Sequence, residues 1–295
     1  MKKKNNDHAS RQTGESDGDD GVKSFFSTYS AMAAAVPQII SVCDSTKTDP
    51  LKIFTLVNMD PVLTSLTYSL YKDFSHEDGQ EFIGIPQIFI KLNINTVKNT
   101  IVNAAKRSVL RRNTDNNALA AQRAYLRRSF AAATVSMLIA KKRGVKTRDL
   151  QKYYCAGLMH GIGGFILSRG GNEADYLRSR NITREQAGRI AAEHWGIPPV
   201  ISDVIAFHDN YVNYTGGHGD VVRNTAMAVF FIDNDAEMAA AVEKSLPTPK
   251  RGLTGAIPED LLKQLELDKD AFTGIPEIFM AELEKVETFM GVGVK

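Results

Sequence analysis

Between Leu150 and Asp209 the chain alternates helix-period apolar stripes with glycine and proline stops, and no other stretch constrains its fold as tightly. A helix of small residues and leucine runs into His160-Gly161-Ile162-Gly163-Gly164. Those glycines end the helix and permit close packing of the next segment. Thr183 and Gln186 then match a capping box, with Ala187, Ile190, Ala191 and His194 on one face of the helix they start. Gly196 before Pro198-Pro199 stops that helix. The next opens at Pro199 and carries Ile201, Val204, Ile205 and His208 on its inner side.

Alternating strand patterns are nearly absent elsewhere, so the fold class is all-α. Residues 1–21 are Lys, Asn, Asp, Ser and Gly with almost no apolar content, which predicts a disordered tail. From Ser24 to Arg112 the pattern is of short helices, opened by Val36-Pro37, Asp49-Pro50, Asp60-Pro61 and the Phe82–Ile88 segment. Asn113-Thr-Asp-Asn-Asn117 is a polar break and the predicted hinge between subdomains. A long helix is predicted over Ala118–Lys141, with Leu126, Phe130, Ala133 and Met137 on one face, and Gly144 ends it. Asp220–Ile232 reads as another buried helix, 233–257 as a mobile Pro/Lys/Gly connection, and 258–290 as one or two amphipathic helices with an acidic outer face.

Composition narrows the function classes. The only cysteines, Cys43 and Cys155, stand far apart, which excludes a cysteine-based zinc site and a disulfide framework and fits a reducing, cytoplasmic compartment. Polar residues follow Lys2-Lys3-Lys4 where a signal peptide needs an apolar stretch, and no apolar run approaches the roughly 18 residues of a membrane span. Net charge is +2, yet Lys98–Arg148 holds thirteen Lys or Arg against one acid, Asp115. The surface candidates there are Arg107, Arg111, Arg112, Arg123, Arg127, Lys141, Lys142 and Arg143. Nucleic acid, a cyclic dinucleotide or an acidic protein face each suits such a stretch, as does a solvated face balanced by the acidic carboxyl-terminal helices. No recognition-helix or aromatic-stacking motif accompanies it, so sequence-specific nucleic-acid readout is not indicated.

The order of a helix ending in His160-Gly-Ile-Gly, a Gly188-to-Trp195-Gly-Ile-Pro helix and a terminal His208 resembles the HDOD family, a bacterial regulatory branch related to the HD metal phosphohydrolases. Pro37-x-Ile39-Ile40 and Asp60-Pro61-x-Leu63-Thr64 extend the resemblance towards the amino terminus. It implies an amino-terminal helical subdomain over 22–113, an HD-like helical subdomain over 114–232, and a carboxyl-terminal helical extension over 233–295 packing on the latter. It also implies a non-catalytic role in signal transduction, exerted on a protein partner in trans, with no cofactor. HD enzymes use histidines and a His-Asp pair to hold metals that acidify water and neutralise phosphate. At the matching positions this chain has Arg128-Ser129, His160-Gly161, Arg184 and His208-Asp209, so the defining carboxylate is replaced by glycine. Arginine cannot ligate a metal. A residual metal-dependent phosphohydrolase and a non-specific nucleic-acid binder are therefore the lesser readings. The main alternative to a protein-interaction module is a sensor. In it Arg128, His160, Arg184, His208 and Asp209 form a degenerate pocket for a nucleotide, cyclic dinucleotide or other anion. In the bland alternative both arginines point outwards and the two histidines hydrogen-bond within a packed core.

Overall fold

Aspartate–proline pairs set the first interhelical corners. The computed structural model describes residues 35–43, 49–75, 84–110, 116–168, 177–243 and 257–289. The predicted tail, His76, Arg111, Arg112 and most of the predicted hinge lie outside them. α1 spans Val36–Cys43 and α2 Pro50–Met59, where the Asp49 carboxylate accepts from the Leu51 N–H at 3.0 Å. α3 spans Pro61–Phe74, and Asp60 accepts from the N–H groups of Val62 and Leu63 at 2.7 and 3.2 Å. Proline follows each cap because a first-turn residue has no intrahelical acceptor for its N–H. α4 is Ile85–Lys91. α5 runs Ile94–Leu110, longer than the short helices expected here. Val97, Ile101, Ala104 and Ala105 bury one stripe of it, and the intervening Asn, Thr and Lys residues had obscured that stripe.

The central element is α6, Asn116–Lys142, roughly 40 Å long at 1.5 Å per residue. Gly144, at φ +76°, ends it in the left-handed conformation that favours glycine. α7, Leu150–Met159, lies against α6 so closely that a Cβ on Gly157 would stand 2.2 Å from the Ala132 carbonyl oxygen. Then come α8 (Ile162–Ser168), α9 (Arg184–His194), α10 (Pro199–Phe207), a 3-10 turn over His208–Asn213, and α11 (Gly219–Asn234). The predicted capping box at Thr183 is present in full. Part of the predicted mobile connection is instead helical: α12 spans Ala236–Glu243, started by Asp235 capping the Met238 N–H and held by buried Met238 and Val242. The chain closes with α13 (Glu259–Gln264) and α14 (Ile275–Phe289). Among the described residues there is no strand, and no helix is long and apolar enough to cross a membrane.

Two apolar cores result. The first joins α1–α5 to α7–α11, from Ile39 and Val57 to Trp195, Ile205 and Val222. The second gathers Phe130, Val135 and Ile139 of α6 with Met227 and Phe231 of α11 and Leu261, Phe279 and Leu283 near the carboxyl terminus. α6 feeds both, since Ala133 and Ala140 face the first. The carboxyl-terminal helices are thus packed against α6 and α11 by an apolar face of their own.

Candidate functional site

A glycine crossing builds the site. A Cβ on Gly163 of α8 would lie 1.8 Å from the Arg184 carbonyl oxygen, and one on Gly188 of α9 would lie 2.3 Å from the Ile205 side chain. Only glycines allow the first turn of α9 to sit directly on α8. That contact brings Arg184 beside His160, at the end of α7, and His208, at the end of α10. Arg128, His160, Arg184, His208 and Asp209, dispersed over 82 positions of sequence, line one cavity of about 250 Å³. Ser129 and Glu185, which sequence reasoning had not nominated, line it too.

The imidazoles are held in one tautomer. His160 Nδ1 is 2.6 Å from the Gly157 carbonyl oxygen and His208 Nδ1 is 2.9 Å from that of Val204. A carbonyl only accepts, so each Nδ1 carries its hydrogen and each Nε2 keeps a lone pair. The rings meet edge to face with centroids 5.1 Å apart. Burial, and then the neighbouring His208, push His160 well below the usual imidazole range. Burial also lowers His208, although Asp209 opposes the shift. Both rings are neutral near pH 7.

Each guanidinium is already engaged. Arg184 forms an ion pair with Asp209 at 2.7 Å and donates to Glu185 at 2.8 Å. Arg128 forms a two-pronged pair with both oxygens of Asp233 on α11, the longer contact being 2.9 Å. Asp209 pairs with Arg184 at a solvent-open mouth, where Arg184 remains 61% exposed. The arginines therefore neither point away from the cavity nor offer it an uncompensated positive charge.

An HD-type metal does not fit this donor set. Gly161 follows His160 where the resemblance implies a carboxylate, Arg128 and Arg184 stand where it implies further ligands, and Asp209 is tied to Arg184. Among the described residues no group of three or more His, Cys, Asp or Glu side chains is placed to hold a metal ion. Two neutral imidazoles and one shared carboxylate hold a hard divalent ion poorly.

The basic stretch does not form one free surface. Arg127 donates to Glu287 of α14 at 2.9 Å with both side chains mostly buried. Arg143 pairs with Asp220 and donates to Asn224 at 3.0 Å and to the Leu265 carbonyl at 3.1 Å. Lys142 reaches the Thr273 carbonyl at 2.8 Å. Arg107 is half-buried, while Arg123 and Lys141 are exposed. Several of the cations that look like a binding face in sequence thus fasten the carboxyl-terminal segment.

A second cavity, of about 100 Å³, lies between α2, α3, α6 and α14. Leu56, Leu63, Phe130 and Leu283 wall it, and Asp60 stands in it with one carboxylate oxygen capping α3 and the other buried without a hydrogen bond. Burial raises this carboxyl to about 6. In sequence Asp60 reads only as a helix start, and its Asp-Pro context carries no sign of the second role.

Residues 85–211 match the family model described as HDOD domain. Two solved structures of the MmoQ response regulator from Methylococcus capsulatus share the fold. One is 16% identical, covering 83% of this chain and 94% of that chain at a TM-score of 0.57. The other is 15% identical, covering 83% and 95% at 0.55. An HDOD domain protein of unknown function from Geobacter sulfurreducens is 15% identical over 89% of this chain and 97% of that chain, with a TM-score of 0.37. No curated protein matches the chain.

Proposed function

Taking the match of residues 85–211 to the HDOD domain model as premise, we propose that this chain is a bacterial, cytoplasmic signal-transduction module that works by binding a protein partner in trans and performs no catalysis. The observation that carries this reading is the state of the cavity. Where HD enzymes concentrate metal ligands, Arg128 and Arg184 stand clamped on Asp233 and Asp209, and Gly161 replaces the defining carboxylate. What remains is a helical scaffold whose guanidiniums and imidazole Nδ1–H groups are satisfied internally. The names of the similar proteins, one a response regulator, support a signalling context.

In-cell crosslinking followed by mass spectrometry tests the reading. The expected product joins this chain to a signal-transduction protein. Recovery of the chain crosslinked to nothing but itself, under conditions where the signalling response it serves is running, would contradict an action in trans.

A further inference from the structure

The charges and lone pairs around the His160–His208 cavity do not suit an anion. Two guanidinium groups, Arg128 and Arg184, face three carboxylates, Asp209, Asp233 and Glu185, and both guanidiniums are already paired. An anion would have to displace a carboxylate of the chain from its arginine. The imidazoles add two acceptors, since backbone carbonyls take both Nδ1–H groups. At one point acceptor meets acceptor: His208 Nε2 lies 3.4 Å from Asp209 Oδ2, a lone pair against a carboxylate. Ser129 Oγ, fully buried in the same wall, has no hydrogen-bond partner. A contact between two acceptors is relieved when a donor serves both, and unmet polar atoms in a low-dielectric site make that donor's binding stronger.

We infer that this cavity takes a small organic cation bearing N–H donors, a primary ammonium or guanidinium group, that serves His160 Nε2, His208 Nε2 and Asp209 Oδ2 together. Donor count and space agree on it. A guanidinium presents five N–H groups in one plane and an ammonium three, and neither brings an acceptor to compete with those already present. The volume of about 250 Å³ exceeds the roughly 150 Å³ that admits a benzene ring, leaving space for the charged head and a short carbon tail. The mouth is open, with Asp209 and Arg184 40% and 61% exposed, so entry needs no unfolding. The inference rests on the cavity being a binding site and not a reaction centre.

Nuclear magnetic resonance of the purified full-length protein, with histidine ring signals observed, tests it with methylguanidinium and n-butylammonium against inorganic phosphate and ATP at matched ionic strength. The expected result is a saturable shift of the His160 and His208 signals by the cations and none by the anions. Binding should weaken at least tenfold in Asp209→Asn, a substitution at an exposed residue that leaves the fold intact, and severalfold in Ser129→Ala. Saturable shifts from phosphate or ATP alone would overturn the inference. Silence of both histidines towards every probe would overturn it equally, leaving water as the shared donor. Phosphate-ester turnover would instead strike at the non-catalytic reading, so the two failures are distinguishable.

Discussion

The two cavities beside α6 bury polar groups in opposite ways. Around His160 and His208 the imidazoles bond backbone carbonyls and the guanidiniums pair with carboxylates, so the cavity is organised by partners drawn from five α-helices and the 3-10 turn. Beneath α14 the walls are mainly apolar beside the Arg127–Glu287 pair, and the Asp60 carboxylate keeps one oxygen bare. Hydrogen bonding fixes the first, whereas packing imposes the second and leaves its charge uncomfortable. The difference shows that buried polarity has no single energetic meaning: neutral imidazoles resist acid, and a lone carboxylate resists base.

Disturbing the crossing that shapes the polar cavity should have the largest effect. Gly163→Ala places a Cβ against the Arg184 carbonyl and the Gly188 amide, both backbone atoms that cannot rotate away. Urea denaturation should show a loss of about 3 kcal/mol, or no folded protein at all. Relief of the apolar cavity comes next. The folded-state pKa of Asp60 is raised, so its ionisation destabilises the protein as pH rises through about 6, and this penalty is absent below the ordinary value of 3.8. Asp60→Asn keeps the amide-oxygen cap and should gain about 2 kcal/mol at pH 8, with the gain vanishing near pH 4. A flat difference between the two proteins across that range would refute the assignment.

The histidines should show the reverse sign. Their folded-state values lie below the ordinary one, so the unfolded chain binds the extra protons, and stability falls as pH drops below about 6.5. In the Asp60→Asn background, where the opposing carboxyl is gone, equilibrium unfolding should lose about 1 kcal/mol per pH unit between 6.5 and 5. The smallest effect belongs to Gly164, next to the crossing but with no atom within 4 Å of the place a methyl group would take. Gly164→Ala should stabilise α8 by about 0.5 kcal/mol through reduced backbone freedom in the unfolded chain. Equal damage from Gly163→Ala and Gly164→Ala would dissolve the distinction between the crossing and its surroundings.

Local chemistry was legible in the sequence, and long-range partnership was not. Thr183, Gln186, Asp49-Pro50 and Asp60-Pro61 announce helix starts because a cap is written within three or four residues. The five cavity residues were nominated by their positions in a family pattern, and tertiary packing brings all five to one wall. The partner of Arg128 was not readable, since Asp233 lies 105 positions away on α11 and no local periodicity links them. The same holds for Arg127 with Glu287 and for Arg143 with Asp220. A count of cations along Lys98–Arg148 therefore overstated the charge left for an outside partner. α12 was missed for a different reason: its buried Met238 and Val242 sit in a short, alanine-rich segment beside a Pro/Lys/Gly run that dominated the composition.

The most direct test of the account is the metal content of the purified chain after incubation with manganese, iron and zinc, measured alongside hydrolysis of phosphate mono- and diesters. The account predicts well under one bound ion per chain and hydrolysis no faster than in protein-free buffer. A stoichiometric ion with turnover that disappears in His160→Ala and His208→Ala would contradict it.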